Sequence, residues 1–257
     1  TAIVTADTAA ALNTALTNAT TGTDVLTLTV NGATAQATDL IGLDNKTSVD
    51  VSVTATAVSG TFANLNTVYV TNVANYVNLG DENVTITDTT SASNVNIILG
   101  ATSGNVTAIV TADTAAALNT ALTNATTGTD ALTLTINDTT LTSVSDLLAL
   151  DGKTNVAVNA SSVNSISETI ANLNTAYNSA GISGLGNENI SITNTGTITA
   201  AQINDLLGET SGTITLVGSG NLAITMTSGQ TLDLSGITNS LSGNLSITDS
   251  TGNETII

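Results

Sequence analysis

Residues 1–24, TAIVTADTAAALNTALTNATTGTD, recur without a change at residues 107–130. An identity of this length at a spacing of 106 residues indicates a tandem array. Repeats in such arrays contact mainly their neighbours along the chain, so these chains extend, stack or present a surface. The duplicated stretch therefore predicts a repeat architecture.

The 106-residue period contains a shorter one. The phrase Leu-Asn-Thr recurs, strictly or loosely, at 12–14, 65–67, 95–97, 118–120, 173–175 and 203–205. Two Asp-Leu phrases lie between these, at 39–43 and 146–150, and the steps then run from 23 to 30 residues with an average of about 27. Periods of 20–50 residues are typical of solenoids and propellers. We call each unit of about 27 residues a short repeat.

Each short repeat predicts a capped helix followed by an alternating strand. In the first one we expect a helix cap at Thr5 or Asp7, an inward face with Ala9, Leu12 and Leu16, and a stop at Gly22. The predicted strands are 25–30, 49–55, 83–88, 105–110, 131–136, 155–160, 189–194, 212–217, 222–226, 231–234 and 245–249.

The unit at 197–216 follows the same order. Thr199 is its predicted helix cap, Ile203 and Leu207 face inward, and Gly208 ends the helix. After about residue 217 the helical phrase disappears, and short strands separated by Gly, Ser and Asn turns predict β-only units.

These patterns predict a repeat solenoid of β/α coils, with a parallel β-sheet on one side, short helices on the other, and shorter β-only coils at the end. The expected divisions are a first long repeat at 1–106 with about four coils, a second at 107–216 with about four coils, and terminal coils at 217–257. Because aromatic residues make up only 2% of the chain, thin layers of small side chains are favoured over a globular core. The alternative is two globular domains of about 106 residues each.

Composition argues against an enzyme. The chain has no His, Cys, Arg, Trp or Pro, and its only cationic side chains are Lys46 and Lys153. The absence of His excludes a Ser-His-Asp triad, and the absence of Cys excludes thiolate sites. A glycosidase-type carboxylate pair would need aromatic side chains that stack on the sugar, and aromatic residues are scarce in this chain. We therefore expect a non-enzymatic protein.

The net charge of −18 bears on partners and location. Such a surface repels nucleic acid and anionic lipid, because phosphate contacts need Lys and Arg. No apolar run approaches 18 residues, so membrane insertion is not expected. The chain opens in the middle of a repeat phrase, so we expect that it begins after an export signal or is a piece of a longer protein. The predicted location is extracellular, at the cell surface.

Acidic residues beside amides at turns suggest calcium. Clustered carboxylate and amide oxygens suit a hard cation, although no stretch matches an EF-hand loop or a calcium-binding nonapeptide. The best candidate ligands are Asp81, Glu82 and Asp88, with Ca²⁺ as the candidate cofactor. The alternative is that these are solvated turn residues.

Two further polar patterns carry structural predictions. The Asn of the Leu-Asn-Thr phrase either forms a ladder, with each amide bonded to the backbone of the next coil, or faces solvent. Lys46 and Lys153 stand beside Asp44 and Asp151, which predicts a local ion pair at each place.

Thr-x-Thr pairs on the strands, such as Thr85 and Thr87, are a mark of some ice-binding solenoids. Thr is also a common residue on the solvent face of a strand. The uneven steps between the pairs work against a regular match to the ice lattice. Both interpretations are open at this level.

Three phrases carry a family resemblance: 8–16 (TAAALNTAL), 199–207 (TAAQINDLL) and 186–193 (GNENISIT). They resemble the Thr/Asn-rich repeats of giant secreted bacterial cell-surface proteins, above all those of marine cyanobacteria. The resemblance implies an extracellular repeat region with a spacer, coat or adhesive role.

The predicted function is a non-enzymatic structural repeat segment of an extracellular surface layer, fibre or adhesin. One alternative is a self-assembling filament subunit joined by head-to-tail stacking. Another is a carbohydrate- or ice-binding module. The expected partners are copies of the chain itself or neighbouring surface proteins, and glycans for the last alternative.

Overall fold

The structure, a computed structural model, describes residues 1–20, 22–126, 128–249 and 252–257. The chain divides into two compact units. The first unit contains Thr1–Thr111, Thr120–Leu134 and Gly152–Val156. The second unit contains Ala112–Asn119, Thr135–Asp151 and Ala157–Ile257.

Short helices recur along the described residues. They are α1 (Ala9–Ala15), α2 (Ala37–Asp44), α3 (Phe62–Asn66), α4 (Ala92–Leu99), α5 (Ala115–Ala121), α6 (Ser145–Asp151), α7 (Ile170–Tyr177) and α8 (Ala200–Leu207). A π-helical turn at Thr67–Thr71 and a 3₁₀ turn at Val73–Asn75 follow α3. No helix in the described part of the chain has the length and apolar character needed to cross a membrane.

The strands are also short. In the first unit they are β1 (Ala2–Ile3), β2 (Leu26–Thr27), β3 (Thr29–Val30), β4 (Thr34–Gln36), β5 (Val51–Val53), β6 (Ala57–Gly60), β7 (Tyr76–Val77), β8 (Asn83–Ile86), β9 (Val106–Ile109) and β10 (Ala131–Thr133). In the second unit they are β11 (Thr140–Leu141), β12 (Val158–Asn159), β13 (Ser165–Glu168), β14 (Ile182–Ser183), β15 (Asn189–Ile192), β16 (Gly196–Thr199), β17 (Ile214–Gly218), β18 (Leu222–Thr225), β19 (Thr231–Leu232), β20 (Ile237–Leu241), β21 (Leu245–Thr248) and β22 (Thr255–Ile256).

All strand pairings between described residues are parallel, which confirms the predicted pairing of successive strands. The sheet orders in the first unit are β10-β9-β8-β6-β4, β3-β5-β7 and β1-β2. Those in the second unit are β11-β13-β15-β17-β20, β16-β18-β21, β12-β14 and β19-β22. The fold is thus a set of parallel β-sheets with short α-helices.

Each predicted strand stretch contains a strand, but the prediction of one strand per short repeat was incomplete. Strands that lead into helices, among them β4, β6, β13 and β16, were not predicted. In β6 the side chain of Val58 is the only large apolar group that points inward. A single inward residue produces no period-2 pattern, so the sequence carries no strand signal there.

The core consists mainly of aliphatic side chains on alternating strand positions and on one face of each helix. Val84 and Ile86 of β8 are buried, whereas Asn83 and Thr85 between them are exposed. Burying one such side chain stabilises a fold by about 1.5–3 kcal/mol. Layers of Val, Ile and Leu can therefore hold the sheets without large aromatic rings.

The helix ends correct two predictions for α1. Its cap is Thr8, whose hydroxyl accepts a hydrogen bond from the N–H of Ala11 at 3.3 Å, rather than Thr5 or Asp7. Asp7 instead accepts from the N–H of Thr8 at 2.7 Å. The helix ends at Ala15, well before Gly22.

The predicted ends of α8 are confirmed. Thr199 forms a capping box with Gln202, and Gly208 is the C-cap residue. Ile203 is buried as predicted, but Leu206 rather than Leu207 is the buried leucine.

Candidate functional site

The most deeply buried charged groups lie in two related turns. We call Gly80–Asn83 the Glu82 turn and Gly186–Asn189 the Glu188 turn. Glu82 is 2% exposed, and its Oε2 accepts from the hydroxyl of Tyr69 at 3.1 Å and the N–H of Gly80 at 2.8 Å. Its main-chain carbonyl accepts from Thr102 Oγ1, in the next short repeat, at 2.7 Å. The carboxylate therefore ties the turn to the π-helical segment that follows α3.

The Glu188 turn repeats this arrangement in the second unit. Glu188 is fully buried, and its Oε2 accepts from the hydroxyl of Tyr177 at 2.7 Å and the N–H of Gly186 at 2.8 Å. The N–H of Gly186 also reaches Oε1 at 3.1 Å. The main-chain carbonyl accepts from Thr210 Oγ1 at 2.8 Å.

The two turns differ in how their carboxylates are bonded. Among the described residues, Glu82 Oε1 is buried without a hydrogen-bond partner, whereas both carboxylate oxygens of Glu188 accept hydrogen bonds. Glu82 lines a cleft of about 350 Å³ together with Asp81, Asn78 and residues 53–56. Position 187 of the second turn carries Asn where the first carries Asp81.

Both phenols are donors throughout the neutral pH range. Burial raises the pKa of Tyr69, and the charge of Glu82, the hydrogen bond to it and the charge of Asp81 raise it further. Burial also raises the pKa of Tyr177, followed by the hydrogen bond to Glu188 and its charge. Sequence reasoning missed both pairs, because the tyrosines stand 13 and 11 residues before their glutamates and share no spacing.

The structure gives the three predicted calcium ligands different surroundings. The side chain of Asp81 is exposed and that of Glu82 is turned inward. Asp88 Oδ1 accepts from the N–H of Phe62 at 2.7 Å and so caps α3. Among the described residues, no group of three or more acidic, His or Cys side chains is arranged to hold a metal ion. A calcium site at these three residues stays a prediction.

Asp88 belongs to a recurring contact in which one short repeat caps the helix of the preceding one. The N–H of Ala115 donates to Asp138 Oδ2 at 2.7 Å, and the N–H of Ile170 donates to Asn194 Oδ1 at 2.6 Å. Each acceptor satisfies a main-chain donor that the first turn of a helix leaves free.

The Asn ladder is confirmed at five of the six phrase asparagines, and the sixth, Asn66, makes no side-chain hydrogen bond to the described residues. The side-chain amides of the phrase asparagines donate across to the next short repeat, from Asn13 to Asp39 O at 2.8 Å, from Asn96 to Thr123 Oγ1 at 3.0 Å, from Asn119 to Asp146 Oδ1 at 2.8 Å, from Asn174 to Gln202 O at 3.1 Å and from Asn204 to Thr231 O at 2.5 Å. Main-chain carbonyls are the acceptors in three of these contacts and side chains in two. The prediction that all acceptors are backbone groups was therefore too narrow.

The ion-pair prediction named the wrong partners. Lys46 Nζ donates to the carbonyl oxygens of Leu16 at 2.9 Å and Ala19 at 3.3 Å, and Lys153 Nζ donates to Leu122 O at 2.7 Å. Leu16 is the C-cap residue of α1, where carbonyls lack helical partners and a cation is favoured. The two lysines therefore fasten one short repeat to the end of the preceding one.

Asp44 and Asp151 also bind across repeats. Asp44 Oδ2 accepts from the amides of Asn72 and Asn75, both at 3.1 Å, and Asp151 Oδ2 accepts from Ser179 Oγ at 2.6 Å. Their carboxylates thus hold the loops of the next short repeat.

The outward Thr residues do not form a uniform row. Thr85 stands in register between Ser59 and Thr107, and the row continues to Gln36 on one side and Ala131 on the other. A row of five positions therefore carries four residue types.

No family model, curated protein or solved structure matches the chain. The buried carboxylates, the phrase asparagines and both lysines make hydrogen bonds that join neighbouring short repeats or shape turns.

Proposed function

We propose that the chain is a non-enzymatic structural repeat segment of an extracellular surface layer, fibre or adhesin. In this proposal each unit is a solenoid of stacked β/α coils. One observation carries it: both lysines, five of the six phrase asparagines and several carboxylates make hydrogen bonds between neighbouring short repeats. The Asn ladder, the lysines on helix ends and the carboxylates on helix starts all make such contacts.

These contacts suit a load-bearing or space-filling stack. A hydrogen bond between neighbours contributes about 0.5–1.5 kcal/mol to stability, and one that involves a charged group contributes more. Because stability in an array is a sum over repeats and their interfaces, each added repeat adds its own contribution. The high negative charge keeps such a surface soluble and repels anionic polymers.

Immunogold electron microscopy of the producing cells tests the location and role. Antibodies against the chain are expected to label a layer or fibre on intact cells. Label that appears only after the cells are permeabilised would contradict the proposal. A matched preparation without the first antibody controls for background.

The second candidate function is a filament subunit that joins head to tail, and exposed apolar residues near the chain ends favour it. Ile3 is 86% exposed, Ile256 is 55% exposed and Ile257 is 64% exposed. Uncovered strand edges invite pairing with another chain. Sedimentation velocity of the purified chain separates the candidates. The sedimentation coefficient of a filament subunit is expected to increase with protein concentration, whereas a spacer segment is expected to stay monomeric.

A further inference from the structure

The duplicated sequence occupies two different environments. Ala108 is 2% exposed and Val110 is 4% exposed, whereas the same residues in the first copy, Ala2 and Val4, are exposed and half-buried. Leu122 is fully buried, but its equivalent Leu16 is only half-buried. Since 1–24 and 107–130 have one sequence, the difference comes from what lies against them.

The second copy is covered by the short repeat at 83–105. Strand β9 pairs with β8 on this side, and the N–H of Thr90 donates to Ile109 O at 3.2 Å. The helices join through Asn96, whose Oδ1 accepts from the N–H of Asn124 at 2.7 Å. The amide of Asn124 returns a bond to Asn96 O at 2.9 Å.

A glycine completes this fit. A Cβ on Gly100 would lie 2.7 Å from Asn124 Nδ2, so a larger residue there would require that amide to shift. The covering short repeat thus presents a strand edge, the main-chain N–H of Thr90, an Asn and a Gly at matched positions.

The first copy carries the same complementary groups. Strand β1 pairs with β2 alone among the described residues, and Asn18 makes no hydrogen bond to them, whereas its equivalent Asn124 makes two to Asn96. We call Ala2–Val4 together with Leu16–Asn18 the docking face. Its residues are identical to those with which the second copy contacts residues 83–105.

We propose that the docking face binds a β/α repeat with the chemistry of residues 83–105: a parallel strand, a free main-chain N–H at the position of Thr90, and a helix with Asn and Gly at the positions of Asn96 and Gly100. The inference rests on the proposed stacking of coils and names the kind of coil that docks. It selects this occupant over the C-terminal end of a second copy. Among the described residues, no helix follows Leu207, so that end has no helical Asn to meet Asn18.

The test adds a copy of residues 80–106 directly before Thr1 of the full chain. Because the two copies of the duplicated sequence have equal masses, T20S in the first copy distinguishes its peptides in hydrogen-exchange mass spectrometry. We expect exchange over residues 1–20 to slow by about tenfold or more, toward the rates of 107–126 in the same molecule. The T20S chain without the extension is the reference.

A second extension, whose added copy carries N96A and G100V, separates specific docking from the mere presence of extra chain. It is expected to lose the slowing around residues 16–20. Equal slowing by both extensions would overturn the proposal, and so would unchanged exchange with the native extension. If exchange over residues 1–20 of the unextended chain becomes slower as the protein concentration rises, the docking face binds a second copy of the chain. That result would also overturn the proposal. Immunogold labelling reports on the surface role separately, so failure of that role and failure of docking are distinguishable.

Discussion

At the scale of single residues, the tyrosines show how a polar group can be stabilising or costly according to its partner. Tyr177 donates to the buried Glu188 at 2.7 Å. The hydroxyl of Tyr76 is buried and has no hydrogen-bond partner among the residues that the structure describes. A buried hydroxyl with a charged acceptor contributes to stability, whereas an unpaired one retains the cost of its lost hydration.

Two Tyr-to-Phe variants test this contrast. Y177F is expected to lower the free energy of unfolding by about 1.5–3 kcal/mol, because Glu188 loses a donor in an apolar setting. Y76F is the matched control and is expected to leave stability unchanged or to raise it. Urea unfolding measures both. Equal losses in the two variants would show that the Tyr177 hydroxyl has no special role.

The same phenols predict how stability depends on pH. Burial raises the pKa values of Tyr69, Tyr76 and Tyr177 in the folded state above the ordinary value near 10. Their contribution is therefore fully present below pH of about 10 and is lost as pH rises toward the folded-state values, because only the unfolded chain releases these protons readily.

We expect the urea midpoint to decrease as the pH is raised from roughly 9.5 to 11, where unfolded tyrosine begins to ionise. The decline should be shallower in Y177F, which has one fewer raised pKa. A midpoint that stays constant across this interval would contradict the prediction.

At the scale of elements, much of the pattern could be predicted from the sequence. The cap at Thr199, the parallel pairing and the Asn ladder followed from spacing, since they use positions that recur with the short repeat. The lysine acceptors could not be predicted, because they are carbonyls about 30 residues away that any sequence would supply. The glutamate turns were missed for a related reason: burial, rather than residue type, decides whether a carboxylate serves as an anchor or as a solvated turn.

The ladder varies where the repeats differ in one small residue. A Cβ on Gly42 would lie 3.0 Å from Asn13 Oδ1, and the second long repeat carries Ala149 at that place. There the amide of Asn119 donates to the side chain of Asp146 at 2.8 Å, whereas Asn13 donates mainly to the main-chain carbonyl of Asp39 at 2.8 Å and also to its Oδ1 at 3.4 Å. The ladder thus tolerates a change of acceptor without losing the link between repeats.

An alanine pair measures what the ladder contributes. N13A removes the bond to Asp39 and is expected to cost about 0.5–1.5 kcal/mol of unfolding free energy. N66A changes the equivalent Asn of α3, for which the structure shows no side-chain hydrogen bond among the described residues. It is expected to be neutral or stabilising, since Ala is the better helix former. Equal effects on the thermal midpoint would show that the ladder adds nothing beyond helix propensity.

At the scale of the whole molecule, charge is the dominant property. The chain has twenty Asp and Glu residues and only two lysines, and both lysines donate to main-chain carbonyl groups rather than to a neighbouring Asp. Most of the excess charge must therefore be held at the surface against its own repulsion. Salt screens such repulsion within about 10 Å at 0.1 M, and divalent cations can bridge carboxylates directly.

The final prediction follows from this balance. Tm and self-association are expected to rise with NaCl and to rise further with millimolar CaCl₂ at matched ionic strength. Part of the calcium increment is expected to come from Asp81 beside the unpaired Glu82 Oε1, so D81N should reduce it. The second long repeat carries Asn187 at the equivalent position, so the substitution reproduces a turn that the chain already folds. If Tm in D81N gains as much from calcium as Tm in the unaltered chain, the Glu82 turn is not the site. If neither salt nor calcium moves Tm, the acidic surface serves solubility alone.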